Sequence, residues 1–128
     1  MRILLDTHVL LWAVAQSDRL PQEARALLED MGNTLYCSTA SLWEIAIKAA
    51  LRREEFQVDI ALLRATLAEM EIEELPVLGG HTEQVCKLPL IHKDPFDRML
   101  IAQSMSEPLV LITNDAVLAE YWDGVRLV

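Results

Sequence analysis

The chain predicts an α/β fold in which a mostly parallel sheet is covered by helices on both faces. Two observations predict it. Short apolar runs such as Ile3-Leu4-Leu5 lack the polar alternation of a half-exposed strand, as strands buried on both sides do. These runs alternate along the chain with segments of helical period, the pattern of strand–helix–strand units. The 128 residues are long enough for a substantial core but too short for two, so a single domain over residues 1–128 is expected. A hydrophobic share of 52% and a charged share of 24% are globular values.

Each element has a local reason. Ile3-Leu4-Leu5 stops at Asp6, and either Asp6 or Thr7 can cap a helix running to about Ala15. Leu20-Pro21 opens a second helix with Ala24, Leu27, Leu28 and Met31 at helical spacing, closed by Gly32-Asn33. Thr34 to Cys37 reads as the next strand. Ser38 to Arg53 carries the strongest helical pattern of the chain and is apolar almost all round, so it should be largely buried. Ile60 to Met70 is a further helix and Ile72 to Val77 a strand. Gly79-Gly80 breaks the chain before a helix through Lys87. Leu88 to Lys93 is a loop. Asp94-Pro95 then opens a helix to Ser106, with Asp94 as cap and proline at the first helical position. Leu109 to Ile112 is a strand, Ala116 to Tyr121 a short helix and Val125 to Val128 a last strand. The run Arg52-Arg53-Glu54-Glu55 reads as a solvated helix end, and Glu69 to Glu74 as a solvated turn.

Composition narrows the function classes. Cys37 and Cys86 are far apart and outside any metal-ligand spacing, which reads as reduced, buried thiols. Val9 to Ala15 ends in an Ala-x-Ala pattern, but Asp6 and His8 interrupt the apolar stretch and argue against a signal peptide. No run approaches the roughly 20 apolar residues of a membrane span. A soluble cytoplasmic protein is expected. The net charge of −9 counts against casual nucleic-acid binding, since phosphate affinity normally comes from a basic surface. Acids gathered inside a metal site, basic residues clustered beside it, or a basic partner would answer that objection.

Four carboxylates stand out because apolar neighbours surround them: Asp6, Glu44, Asp97 and Asp115. An isolated buried carboxylate costs several kcal/mol unless something neutralises it. Four converging would make a hard oxygen cage suited to Mg²⁺ or Mn²⁺. Each also has a structural explanation. Asp6 and Asp115 can cap the helices that follow them, and Asp97 suits the first turn of its own helix. Glu44 can pair with Lys48 one turn on. Asp6 and Asp115 nevertheless follow strands directly, and ligands of parallel sheets bind beyond the carboxyl ends of strands. His8, His81 and His92 lack metal-ligand spacing and read as surface or loop residues. Trp12, Trp43 and Trp122 read as core or interface packing. There is no Gly-rich phosphate loop and no nucleophile elbow.

Taken together, Leu4-Leu5-Asp6-Thr7-His8, Ser41-Leu42-Trp43-Glu44-Ile45, His92 to Gln103 and Leu111-Ile112-Thr113-Asn114-Asp115 resemble the successive motifs of PIN-domain proteins, with VapC-type toxins of prokaryotic toxin–antitoxin pairs the closest likeness. The resemblance runs the length of the chain. It implies a three-layer α/β/α fold around a central parallel sheet and Mg²⁺- or Mn²⁺-dependent ribonuclease activity. It also implies a homodimer, and inhibition by a cognate antitoxin that inserts a segment into or near the site. Carried across by position, Asp6, Glu44, Asp97 and Asp115 form the acidic, metal-holding site. Thr113 matches a polar residue often beside the last acid, and Asp94 remains a possible contributor. Hydrolysis of an RNA phosphodiester at such a site needs no covalent nucleophile. Lys48, Lys93 and Arg98 are candidates for RNA contact and equally for ion pairing. Rival readings are an aspartyl-nucleophile phosphatase, which position 8 being His disfavours, a non-catalytic Mg²⁺-binding receiver, and an interaction module whose acids only cap helices.

Overall fold

The computed structural model describes residues 1–51 and 57–128. In chain order the elements are β1 (Arg2–Leu5), α1 (Thr7–Val14), α2 (Gln22–Glu29), β2 (Thr34–Ser38), α3 (Thr39–Leu51), α4 (Ile60–Glu69), β3 (Ile72–Leu75), α5 (Gly79–Cys86), α6 (Pro95–Ser106), β4 (Val110–Thr113) and β5 (Val125–Leu127). The five strands form one sheet in the order β3-β2-β1-β4-β5, and every pairing is parallel.

That order sets the position of everything functional. From β1 the chain steps outward through β2 and β3, then returns to place β4 on the other side of β1. The connections leave in opposite directions at the β1–β4 boundary, so a crevice opens beyond the carboxyl ends of those two strands. The pairing there continues one residue past β1, because the Asp6 backbone N–H donates to the Ile112 carbonyl at 3.1 Å.

Alternation along each strand divides the interior into two cores. Ile3, Leu5, Cys37, Ile72 and Ile112 face one side, with Val9, Leu10, Leu42, Ile45, Leu63 and Leu67 from the helices above them. Leu4 and Leu111 face the other, against Leu100, Ile101 and Ala102 of α6 and Leu118. The fold is therefore the three-layer α/β/α arrangement. Helices cover both faces, which explains why the inner strands β1 and β4 are apolar without alternation, while the edge strands β3 and β5 carry Glu73, Glu74 and Arg126.

Several expectations are corrected in detail. The segment from Ala116 to Tyr121 forms only a 3-10 turn over Leu118–Glu120, because the Asp115 cap and a short connection to β5 leave no room for a full helix. Met31 lies beyond the end of α2 and is 96% exposed. Helix α3 is buried through Ile45 except at Trp43, and its second half opens to solvent. Trp43 itself is 65% exposed, so it is not a core residue, and it makes an edge-to-face contact with Phe96. His81 is buried rather than at the surface. Its Nδ1 accepts from the Leu78 N–H, and its Nε2 lies 2.7 Å from the Glu107 carboxylate. Of the two thiols, Cys37 is buried and Cys86 exposed. The expected extension of α3 to Arg53 and the charge run at 52–55 lie outside the described residues. Among those residues, no helix is long and apolar enough to cross a membrane.

Candidate metal centre

The site is assembled by the crevice between β1 and β4. Asp6 ends β1 and caps α1: its Oδ1 accepts from the His8 N–H at 2.7 Å. Its Oδ2 accepts from the Thr113 hydroxyl at 2.7 Å, reached across the sheet from the end of β4. Asp6 is 4% exposed and Thr113 fully buried, so this pairing is withdrawn from solvent. The Thr113 Oγ also accepts from the Asp115 N–H at 3.0 Å, fixing the turn that aims Asp115 into the crevice. Asp115 Oδ1 then caps the following turn by accepting from the Val117 N–H.

Glu44 enters from α3. Ser38 caps this helix, its hydroxyl accepting from the Ala40 N–H at 3.0 Å, which sets Glu44 in the second turn facing inward. Its carboxylate is 4% exposed and rests one oxygen on Lys48 at 2.9 Å. That hydrogen bond raises the Lys48 ammonium above its ordinary range. The other oxygen, Oε1, is buried without a hydrogen-bond partner among the described residues. Beside it, the Thr7 hydroxyl donates to Ser41 at 2.8 Å, tying the start of α1 to α3.

Asp94 and Asp97 divide their labour at the start of α6. Asp94 accepts from the N–H groups of Phe96 and Asp97 and so is occupied as the cap. Asp97, one turn in, makes no cap contact and faces the other acids. Burial, then the charges of Asp94 and Asp6, and more weakly Glu44, push its carboxyl up to about 7, against the opposing influence of His92. Those neighbours place Asp97, Asp6 and Glu44 in one electrostatic field.

His92, read from sequence as a surface residue, lies inside the cluster. Its Nε2 is 3.1 Å from Asp115 Oδ2 and 3.3 Å from Asp97 Oδ2. Ligand atoms of His92, Asp97 and Asp115 lie within 4.8 Å of one another. No spacing rule could have found it, because the contact depends on the loop before α6 bringing His92 to Asp115 in the turn after β4. Arg19 was also missed. It lines, with Asp6, His8, Trp12 and Asp115, a recess of about 500 Å³ on the outer side of the site. Of the basic residues singled out from sequence, Lys48 is taken by Glu44. Arg98 donates to the Pro89 and Val85 carbonyls and so braces a loop. Lys93 lines a shallower groove beside His92.

The residues present suit a divalent cation. Carboxylate oxygens are the donors Mg²⁺ and Mn²⁺ take, Glu44 Oε1 is a buried acceptor with no donor among the described residues, and the crowding that raises Asp97 is what a positive ion relieves. Capping alone explains Asp6, Asp94 and Asp115. It leaves unexplained why Glu44 is a buried acid and Asp97 a half-buried one.

A PIN domain family model matches residues 3–122. No curated protein gives a significant sequence match. Among solved structures, VapBC2 from Rickettsia felis bound to a DNA fragment from its promoter is similar at a TM-score of 0.69 and 15% identity, covering 100% of this chain and 98% of that one. DNA-bound VapBC from Salmonella typhimurium is similar at 0.68 and 18%, covering 100% and 97%. A toxin–antitoxin complex from Klebsiella pneumoniae gives 0.66 and 20%, covering 97% and 95%. At these identities the likeness is one of fold.

Proposed function

This chain belongs to the PIN-domain family, and on that premise we propose that it is a metal-dependent endoribonuclease, the toxin of a type II toxin–antitoxin pair. One observation carries the reading: at the β1–β4 crevice Asp97 and Asp115 come within reach of one ion, Asp97 lies in the field of Asp6 and Glu44, and Thr113 holds Asp6. The match in fold over nearly the full length of chains from toxin–antitoxin complexes supports the biological role, and with it a cognate antitoxin as partner.

In this reading Asp6, Asp97, Glu44 and Asp115 hold Mg²⁺ or Mn²⁺. When bound, such an ion supplies activation of water and stabilisation of charge developing on a phosphate. Thr113 holds Asp6 in one orientation by occupying its Oδ2. Lys48 balances the Glu44 charge and limits the net negative field an RNA backbone meets. Arg19, on the wall of the recess, offers a cation to a phosphate beside the cleaved one. Acids drawn into a cation site no longer repel RNA, which answers the objection raised by a net charge of −9. The exposed apolar surface of Trp43 with Phe96 and Met99 suits a homodimer, and the protein acts in the cytoplasm, where its RNA is found.

The test is cleavage of total RNA by purified protein and by its Asp6→Asn variant, each with Mg²⁺, Mn²⁺ or chelator. Asparagine keeps an oxygen for the helix cap, so the variant removes the charge and, with it, the acceptor for the Thr113 hydroxyl. Cleavage that needs metal and vanishes in Asp6→Asn is expected. A folded protein that binds no metal and leaves RNA intact overturns the reading.

A further inference from the structure

The ring of His92 is fixed on every side. Its backbone N–H donates to the Tyr121 hydroxyl at 2.7 Å, anchoring the loop. Its Nδ1 receives the Asp94 backbone N–H at 3.1 Å. A ring nitrogen that accepts a hydrogen bond carries no proton, so the neutral ring holds its proton on Nε2. That N–H donates to Asp115 Oδ2 at 3.1 Å, and Asp97 Oδ2 lies 3.3 Å from the same nitrogen. For Nε2 to bind a cation, the proton would have to move to Nδ1, where it would meet the Asp94 N–H head-on. The backbone at the start of α6 therefore selects a donor at Nε2, not a ligand.

We propose that His92 is a positioning residue of the acidic site, its Nε2–H holding Asp115 by a hydrogen bond and keeping the neighbouring Asp97 carboxylate beside it, without entering the coordination shell of the cation. This rests on the cation-binding reading above. Each carboxylate oxygen has two lone pairs, so an oxygen that accepts from His92 keeps one for an ion. The consequence is a link between the two halves of the site: Asp97 belongs to α6 and Asp115 to the turn after β4, and His92 is the side chain that touches both. Cation affinity should then depend on a residue that never contacts the cation.

The experiment uses the full chain and Mn²⁺ as probe. ¹⁵N NMR of the metal-free protein reports the proton on Nε2 of His92. Pulsed electron paramagnetic resonance of the Mn²⁺-loaded wild type then shows no directly bound imidazole nitrogen. Calorimetric Mn²⁺ titration shows affinity lower by about 10–100-fold in His92→Ala, the usual effect of losing a hydrogen-bond partner to a ligand. His92→Gln, which carries an amide N–H to nearly the same place, recovers most of it. A ¹⁴N coupling characteristic of direct ligation overturns the proposal without touching the cation reading, and it needs no variant to fold. Unchanged affinity in His92→Ala overturns it as well. A wild type that takes up no Mn²⁺ overturns the cation reading and this role together.

Discussion

The Thr113 hydroxyl donates to Asp6 Oδ2 at 2.7 Å, joining two residues 107 positions apart inside the closed end of the β1–β4 boundary. One bond thus locks the end of the first strand to the end of the fourth. Thr113→Val keeps the volume and removes the donor. It leaves a buried carboxylate oxygen and the Asp115 N–H without their partner. Metal-free stability should fall by about 1–3 kcal/mol in urea unfolding, the range for a lost bond to a charged group, and Thr113→Ser should retain most of it. An unchanged midpoint for Thr113→Val would mean that water replaces the hydroxyl there.

Asp97 makes the metal-free protein sensitive to pH. Its folded carboxyl is pushed up to about 7 by burial and by Asp94 and Asp6, above the ordinary value of 3.8. Between those values the folded state holds a proton that the unfolded state has released. Its contribution to stability therefore declines as pH rises from about 4 to about 7 and levels off above. A cation competes for the same carboxylate, so Mn²⁺ affinity should climb over the upper part of that window. Denaturant titrations in chelator from pH 4 to 8 check the first slope and calorimetry the second. A metal-free stability that rises across the window contradicts the crowding at Asp97.

Asp94 and Asp97 stand three residues apart and should respond in opposite directions. Asp94→Ala removes the cap of α6 and should cost about 0.5–2 kcal/mol. Asp97→Asn removes a crowded charge and should raise the melting temperature in chelator at pH 8, with a smaller gain at pH 5. The same variant should bind Mn²⁺ poorly. If both variants destabilise alike at pH 8, Asp97 is a capping residue and not a ligand.

Lys48→Met tests how Glu44 is tolerated. An exposed pair one helical turn apart contributes about 0.3–0.5 kcal/mol. Glu44 is 4% exposed and has one oxygen already without a partner among the described residues, so losing Lys48 should cost more, on the order of 1 kcal/mol without metal. Saturating Mn²⁺ should shrink that difference, since a bound cation replaces the lost charge. A cost that metal leaves unchanged would separate Glu44 from the cation site.

The thiols should differ in reactivity. Burial, with the Glu74 charge second, pushes Cys37 up to about 12, so almost none of it is thiolate at neutral pH. Cys86 is exposed at the end of α5. Maleimide at pH 7.5 should label the native chain once, at Cys86, and twice only after unfolding. Native labelling of Cys37 would show that the core over β2 opens readily.

Much of the fold was legible because its signals are local. Apolar runs without alternation mark strands covered on both sides, and Asp94-Pro95, Ser38 and Gly79-Gly80 mark element starts by capping and backbone chemistry. The acids Asp6, Glu44, Asp97 and Asp115 could be picked out by a mismatch visible in sequence, charge set among apolar neighbours. The capping role of Asp94 was legible too, since a proline at the first helical position follows it, and its Oδ1 accepts from both the Phe96 and Asp97 N–H groups. Long-range detail was not. A histidine five residues before Asp97 carries no periodic signal, and His81 and His92 found their carboxylate partners only through loop and helix packing. Trp43 shows the converse: apolar on paper, it sits on the outward side of α3 because Glu44 and Ile45 take the inward positions.

By itself, then, the sequence determined the strand–helix alternation and the candidate acids, through interactions spanning a few residues. The tertiary structure alone decided that β4 inserts beside β1, and hence that Asp6, Thr113 and Asp115 share one crevice. It also decided which tautomer His92 adopts and which carboxylate oxygens remain available. Pairing order and hydrogen-bond direction depend on contacts between residues up to 107 positions apart, and no local propensity encodes those.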